Sequence, residues 1–227
     1  MTDAVQLARA VAATRDIRTV VLVEGVSDQV AIETLAGRRG RDLGREGAAI
    51  VPMGGAMSIA RFLREFGPQG LDLRLAGLCD AGEARFFEHA LENAGLVGEG
   101  PERAGHERAS TDRAGHERAS TDRAGDAVDR QRMESLGFYV CVADLEDELI
   151  RSLGTDRVEA IIVEQGDLGA LRTFQQQPFQ RDRTPQQQFR RFMGVRSGRK
   201  AHYSRALVEG LDLQKVPRPL DLLLERI

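Results

Sequence analysis

The sequence predicts an α/β fold: a parallel four-stranded sheet flanked by helices, followed by a small all-helical C-terminal region. Three observations carry this expectation. Short, continuously apolar runs rich in β-branched residues alternate with helical periodicity up to about residue 145, as expected of strands buried on both faces and joined by right-handed crossovers. Beyond that point only helical periodicity is found. The 227 residues, 41% of them hydrophobic, suffice for one sizeable α/β domain, alone or with a small appendage.

Taken in order, residues 3–15 place Val5, Leu7, Ala8, Val11 and Ala12 at helical spacing and read as a lead-in helix. Thr19–Val23 is a β-branched run and the first strand; it stops at Glu24-Gly25. Ser27 is a good N-cap for a helix reaching Leu35 or Arg38. A turn region, Gly40–Gly47, leads to the second strand, Ala48–Val51, which breaks at Pro52-Met53-Gly54-Gly55. Helix 57–66 aligns Ile59, Phe62, Leu63 and Phe66 and stops at Gly67-Pro68. The third strand is expected over Leu71–Cys79 and ends at Asp80; a helix covers 83–95. The fourth strand spans Gly137–Val142, ending at Ala143-Asp144. Helices then follow at Leu145–Leu153, Arg157–Gln165, Leu168–Gln176, Gln186–Met193, His202–Leu211 and Leu220–Ile227.

Residues 98–130 interrupt this pattern. Arg103–Asp112, RAGHERASTD, recurs unchanged as Arg113–Asp122, and a third copy starts at Arg123. With almost no large apolar residue, the segment cannot bury enough surface to offset ordering entropy, so a flexible surface insertion is expected. Its His106 and His116 are not expected to hold a metal. The division implied is a catalytic unit at residues 1–150, carrying the insertion, and a basic helical region at 151–227.

Composition excludes several classes. Seven Pro, two Cys and no Trp rule out collagenous, disulfide-dense and Pro-rich chains. No run of about 18 apolar residues exists, so no membrane span is expected. The first residues, MTDAVQLARAVAATRDIRTV, lack the features of a signal peptide, and a cytoplasmic location is expected. Cys79 and Cys141, both in strands, read as small buried hydrophobes in a reducing compartment. The formal charge of −3 hides an asymmetry. Residues 1–169 hold 20 basic and 30 acidic side chains, residues 170–227 hold 12 and 5, and only Lys200 and Lys215 are lysines. A basic tail of this kind suits phosphate, or is an ordinary solvated face.

The placing of the acids is the informative signal. Glu24 ends strand one, Asp28 follows one helical turn later, Asp80 ends strand three, and Asp144 and Glu146 follow strand four. In an open parallel sheet, ligands bind outside the carboxyl ends of the strands, so these acids should meet on one edge. Carboxylates gathered there repel one another, and a hard divalent cation relieves the repulsion. One or two Mg²⁺ or Mn²⁺ ions could then support phosphodiester chemistry. Three of these acids also have a local alternative: Asp28 as a charge at a helix N-terminus, Asp80 as an N-cap, and Glu146, like Asp147 and Glu148, flanking the helix after strand four; Glu24, ending a buried apolar strand, needs a partner.

Val21-Leu22-Val23-Glu24-Gly25-Val26-Ser27-Asp28 resembles the first motif of Toprim domains, the fold shared by topoisomerases, primases and several nucleases. Leu78-Cys79-Asp80 resembles the second motif, and Asp144–Leu149 the segment after the last strand in nucleases of the overcoming-lysogenisation-defect (OLD) family. The resemblance covers about residues 17–96 and 134–150. It implies Glu24 as metal ligand and general acid/base, with Asp28, Asp80, Asp144 and Glu146 as further metal ligands. It also implies a phosphate-stabilising basic residue, matched within Arg196–Lys200 by Lys200. Glu24, Asp80 and Lys200 are thus the catalytic candidates. Two departures stand out. Where Toprim second motifs commonly read Asp-x-Asp, this chain has Asp80-Ala81-Gly82, with Glu83 one residue late. No G-x-x-x-x-G-K-[ST] loop of the kind found in the OLD ATPase domain is present.

The implied activity is an Mg²⁺- or Mn²⁺-dependent endonuclease that cuts or nicks DNA. The competing reading is a degenerate, non-catalytic Toprim module that binds DNA or a separate ATPase protein. Nucleotidyl transfer of the primase or topoisomerase kind fits the same acids but has no strand-passage tyrosine setting or zinc motif in support. DNA is the expected partner; a separate ATPase protein and a homodimer are options.

Overall fold

A computed structural model describes residues 16–96, 130–195 and 198–227. The expected lead-in helix at 3–15 lies outside these residues, as does all but the last residue of the insertion at 98–130.

Four strands, β1 (Thr19–Val23), β2 (Ala48–Pro52), β3 (Arg74–Cys79) and β4 (Phe138–Val140), form one sheet in the order β2-β1-β3-β4. Every neighbouring pair is parallel. The register aligns Val21 with Ile50 on one side and with Ala76 on the other, and β4 joins with Gly77 opposite Phe138. β1 is central, and all five of its residues are buried, which accounts for its unbroken apolar run. Successive side chains alternate between faces. Val21 and Val23 join one core cluster; Val20 and Leu22 join another.

Helix α1 (Val26–Arg38) covers the first face with Ala31, Ile32, Leu35 and Ala36. Helices α2 (Ile59–Phe66) and α3 (Ala84–Asn93) cover the second, through Ile59, Phe62, Leu63, Phe66, Phe87, Ala90 and Leu91. Helical residues 130–135 add Met133 to that layer. The remaining helices are α4 (Leu145–Leu153), α5 (Thr155–Glu164), α6 (Leu168–Gln175), α7 (Pro185–Gly194), α8 (Arg199–Gly210) and α9 (Arg218–Arg226). They contribute to the first-face core through Leu149, Ile161, Leu171, Phe192, Leu207 and Leu223. No helix among the described residues is long and apolar enough to cross a membrane.

Several expected boundaries move, each for a local reason. α1 is capped by Gly25 rather than Ser27, because Asp28 accepts a hydrogen bond from the Gly25 N–H at 2.9 Å. β3 begins at Arg74 instead of Leu71: the N–H groups of Leu71 and Leu73 return to the carbonyls of Glu65 and Phe66, and Asp72 takes a φ of 52°. β4 stops at Val140, and the Val142 N–H goes to the Glu148 carboxylate at 2.7 Å. α8 starts at Arg199, three residues before the expected His202, so Lys200 stands in its first turn rather than in a preceding basic turn.

Candidate metal and phosphate site

The chain leaves β1 for β2 on one side and then crosses back to β3 on the other, so the direction of winding reverses between β1 and β3. The covering helix also changes face there, from α1 to α2. Such a switch point opens a crevice at the carboxyl ends of the strands. Glu24 and Asp80 are the residues that follow these two strands. The Asp80 N–H donates to Glu24 Oε1 at 2.9 Å, so the backbone at the end of β3 holds the carboxylate at the end of β1. On the other side of β1, the N–H groups of Gly54 and Gly55 each donate to the Glu24 carbonyl at 3.0 Å. Both glycines have positive φ, 76° and 123°, a conformation that suits residues without a Cβ.

The other acids surround this pair. Asp28 is buried in the first turn of α1. Asp144 is the N-cap of α4: its Oδ1 accepts from the Asp147 N–H at 2.8 Å, and its Oδ2 receives Arg190 Nε at 2.5 Å. Glu146 is only 2% exposed. Its Oε2 lies 3.1 Å from Lys200 Nζ, an ion pair without aligned hydrogen-bond geometry, while Oε1 has no partner among the described residues. The cap of α4 is therefore Asp144, not one of the acids inside the helix. Glu148, the third acid of that run, is tied to the chain after β4 and to Arg151 at 2.8 Å.

The five acids lie close enough to act on one another's charge. Burial, then the charges of Glu24, Asp144 and Asp28, push the Asp80 carboxyl up to about 8. Burial, with Asp144 and Asp28 adding to it, raises Glu146 to about 7 against the opposing pull of Lys200. Burial also raises Glu24 and Asp28. Glu83 contributes to the rise at Glu24, so the acid one residue late in the second motif is close enough to act on the first. Lys200 is itself held protonated by Glu146, Asp28 and Asp80, which outweigh its partial burial.

The donor chemistry fits a hard divalent cation: every candidate ligand is a carboxylate oxygen, and Glu146 keeps a buried oxygen unengaged. As the side chains stand, no three His, Cys, Asp or Glu residues among those described are drawn round a single ion-sized point. Four of the five carboxylates are held by a protein partner instead: Glu24 by the Asp80 amide, Asp28 by the Gly25 amide, Asp144 by Arg190 and Glu146 by Lys200.

Beside Asp144 and Glu146 opens a cleft of about 400 Å³, lined also by Arg183, Arg190, Arg191 and Lys200. Sequence reasoning selected Lys200 from this group and passed over the three arginines. A signal was present: Phe189, Phe192 and Met193 are the buried face of α7, which turns Arg190 and Arg191 outward. The polar runs Gln175–Gln177 and Gln186–Gln188 also have a local purpose. Gln187 completes the capping box of α7 with Thr184, and Gln188 joins Gln175 at 2.9 Å and the Gln180 carbonyl at 2.8 Å. Tyr203 faces the core, as a helix face packed on the body should; its hydroxyl donates to Asp167 at 2.9 Å.

Residues 17–81 match the model of the Toprim domain of overcoming lysogenization defect protein-like proteins. Over nearly its whole length the chain is similar to solved C-terminal regions of OLD proteins. That of Xanthomonas campestris pv. campestris is 22% identical, with 92% of this chain and 93% of that one covered and a TM-score of 0.63. That of Burkholderia pseudomallei is 17% identical, with 92% and 96% covered and a TM-score of 0.63. A comparison with curated proteins finds no match. The domain match ends one residue after Asp80 and so takes in β1, the switch point and Glu24; residues 17–81 are thus similar to an OLD-like Toprim domain, within a chain whose fold is that of the OLD C-terminal regions.

Proposed function

We propose that this protein is a divalent-metal-dependent nuclease that hydrolyses or nicks DNA. The single observation that carries the reading is the meeting of Glu24 and Asp80 at the switch point of an OLD-like Toprim domain, with three further acids on the same edge. Glu24, Asp28, Asp80, Asp144 and Glu146 would hold one or two Mg²⁺ or Mn²⁺ ions. A bound ion supplies Lewis acidity, making water a stronger nucleophile and neutralising charge on the phosphate.

The chain's own groups do the rest. Glu24, made more basic by burial, is suited to take the proton of the attacking water as its oxygen bonds to phosphorus. The bond to the departing sugar oxygen then breaks, that oxygen takes a proton from solvent water to leave as the hydroxyl, and Glu24 returns its proton to solvent. Lys200, cationic and partly exposed, offsets the charge that develops on the non-bridging oxygens. In this reading residues 1–150 supply the metal ligands and 151–227 supply phosphate contacts. The free, buried thiols of Cys79 and Cys141 agree with a reducing, cytoplasmic setting. A separate ATPase protein or a second copy of the chain would be a partner of the complex rather than part of the site.

The test is nicking of supercoiled plasmid in Mg²⁺ or Mn²⁺, against EDTA, by wild type, Glu24→Gln and Asp80→Asn. Loss of about 10²-fold or more in each variant is expected. Equal activity in all three would remove these residues from the site. The degenerate-module reading, favoured by Gly82 at the position of the usual second acid, predicts DNA binding with no cleavage and no ion uptake.

A further inference from the structure

The cleft beside the acids carries an inference about how substrate and ion are linked; it rests on the reading of the site as a metal-dependent nuclease. Its four cations fall into two pairs. Arg190 and Lys200 are each spent on a carboxylate, Asp144 and Glu146 respectively. Arg183 and Arg191 are in no ion pair among the described residues. At about 400 Å³ the cleft has room for roughly a dozen waters, ample for charged groups to rearrange. Arg190 lies on α7 with 45% of its side chain exposed, and Lys200, on the first turn of α8, has 46% exposed. Both can swing without disturbing the core beneath them. Asp144 and Glu146 are the buried members, with side chains 12% and 2% exposed.

We propose that Arg183, Arg190, Arg191 and Lys200 together seat the backbone phosphates beside the scissile bond. Arg190 and Lys200 join that seat only when a divalent cation displaces them from Asp144 and Glu146. With the carboxylates engaged by their own cations, the cleft offers a polyanion two arginines that no described carboxylate neutralises, Arg183 (its Nε donating to the Phe179 carbonyl at 3.1 Å) and Arg191. Occupation of the carboxylates by an ion releases two more cations into the same space. Ion and nucleic acid then bind cooperatively, and each must raise the other's affinity by the same factor. Each pair has one solvated and one buried member, and the ion takes over the buried carboxylate as its cation leaves, so the exchange strands no buried charge.

Arg190→Gln separates this arrangement from a plain basic patch because it moves two affinities in opposite directions. Calorimetric titration with Ca²⁺ or Mn²⁺ alone should show tighter ion binding than wild type, by about two- to fivefold, since Asp144 no longer has a competing cation. Fluorescence anisotropy with a labelled oligonucleotide in Ca²⁺, kept intact as judged on a gel, should show weaker DNA binding. In wild type, the slope of log K against log salt should steepen by about two phosphate contacts from EDTA to Ca²⁺. Arg190→Gln should lose about one of these, and Arg190→Lys should recover it. Arg191→Gln should weaken DNA binding equally with and without the ion and leave ion affinity unchanged. Thermal melts in EDTA establish that the variants are folded. Ion uptake by Arg190→Gln no tighter than wild type, or a salt slope indifferent to Ca²⁺, overturns the displacement. Failure of the wild type to bind any divalent cation overturns the nuclease reading, and the displacement falls with it.

Discussion

At Asp80, burial and three neighbouring carboxylates push in the same direction, and the proton they retain is also a statement about stability. Folded, without an ion, Asp80 titrates at about 8 and Glu146 at about 7, both above the range of an unfolded carboxylate, about 4. Between these limits the folded chain binds more protons than the unfolded one. The contribution of these two groups to stability is therefore greatest at acid pH, falls as pH rises from about 4 through the folded values, and is flat above them. In EDTA the melting temperature should drop between pH 5.5 and pH 8.5, and the drop should be smaller in Asp80→Asn and in Glu146→Gln. Excess Mn²⁺ at pH 8.5 should restore what the wild type lost. A difference between wild type and Asp80→Asn that is identical at the two pH values would contradict this. Gly82 belongs to the same scale. A Cβ there would meet nothing within 4 Å, and its φ lies outside the left-handed region. Gly82→Asp should therefore be accommodated and should tighten Mn²⁺ binding measured by calorimetry, since it supplies the acid that the Asp-x-Asp pattern carries. The individual acids were legible in the sequence because each follows a strand. Their partners were not: Arg190 lies 46 residues beyond Asp144, and nothing local announces the pairing.

Among elements, the strands were legible to within a residue or two where apolar character alone decides, as in β1 and β2. They were misjudged where turn hydrogen bonding takes over. Leu71 and Leu73 continue the apolar pattern of β3, yet their amides are claimed by the end of α2, and the strand cannot start until Arg74. Gly77 shows what an element needs beyond pattern. A Cβ at this position would lie 2.6 Å from the Phe138 ring and 2.9 Å from the Leu22 carbonyl, so β3 packs against β1 and β4 only because the side chain is absent. Gly77→Ala should cost about 1–3 kcal/mol in denaturant melts, in line with overpacking of a tight core. An unchanged midpoint would mean that Phe138 can turn aside without penalty.

For the whole molecule, the decisive feature is a core shared by the sheet and the C-terminal helices. Val21, Ile32 and Leu78 belong to the same buried cluster as Leu171, Leu207 and Leu223. α9 is fastened to the region after α1 by Arg39–Asp221 at 2.6 Å and by a hydrogen bond from Arg41 to the Leu224 carbonyl. Leu207→Ala should therefore cost about 2–5 kcal/mol and lower the stability of sheet and helices together, giving coincident transitions by circular dichroism and hydrogen exchange. Two separate transitions would show that residues 1–150 and 151–227 fold independently. The sequence by itself determined the strand–helix alternation, the four-stranded α/β class, the Toprim resemblance and an acid after three of the four strands. These follow from local rules: apolar run length, periodicity, and short motifs read along the chain. Only the tertiary structure decided the order β2-β1-β3-β4, the hydrogen bond from Asp80 to Glu24, the capture of Asp144 and Glu146 by Arg190 and Lys200, and the cleft beside them. The physical reason is that charges separated by tens of residues act on one another only after packing has brought them to one low-dielectric edge.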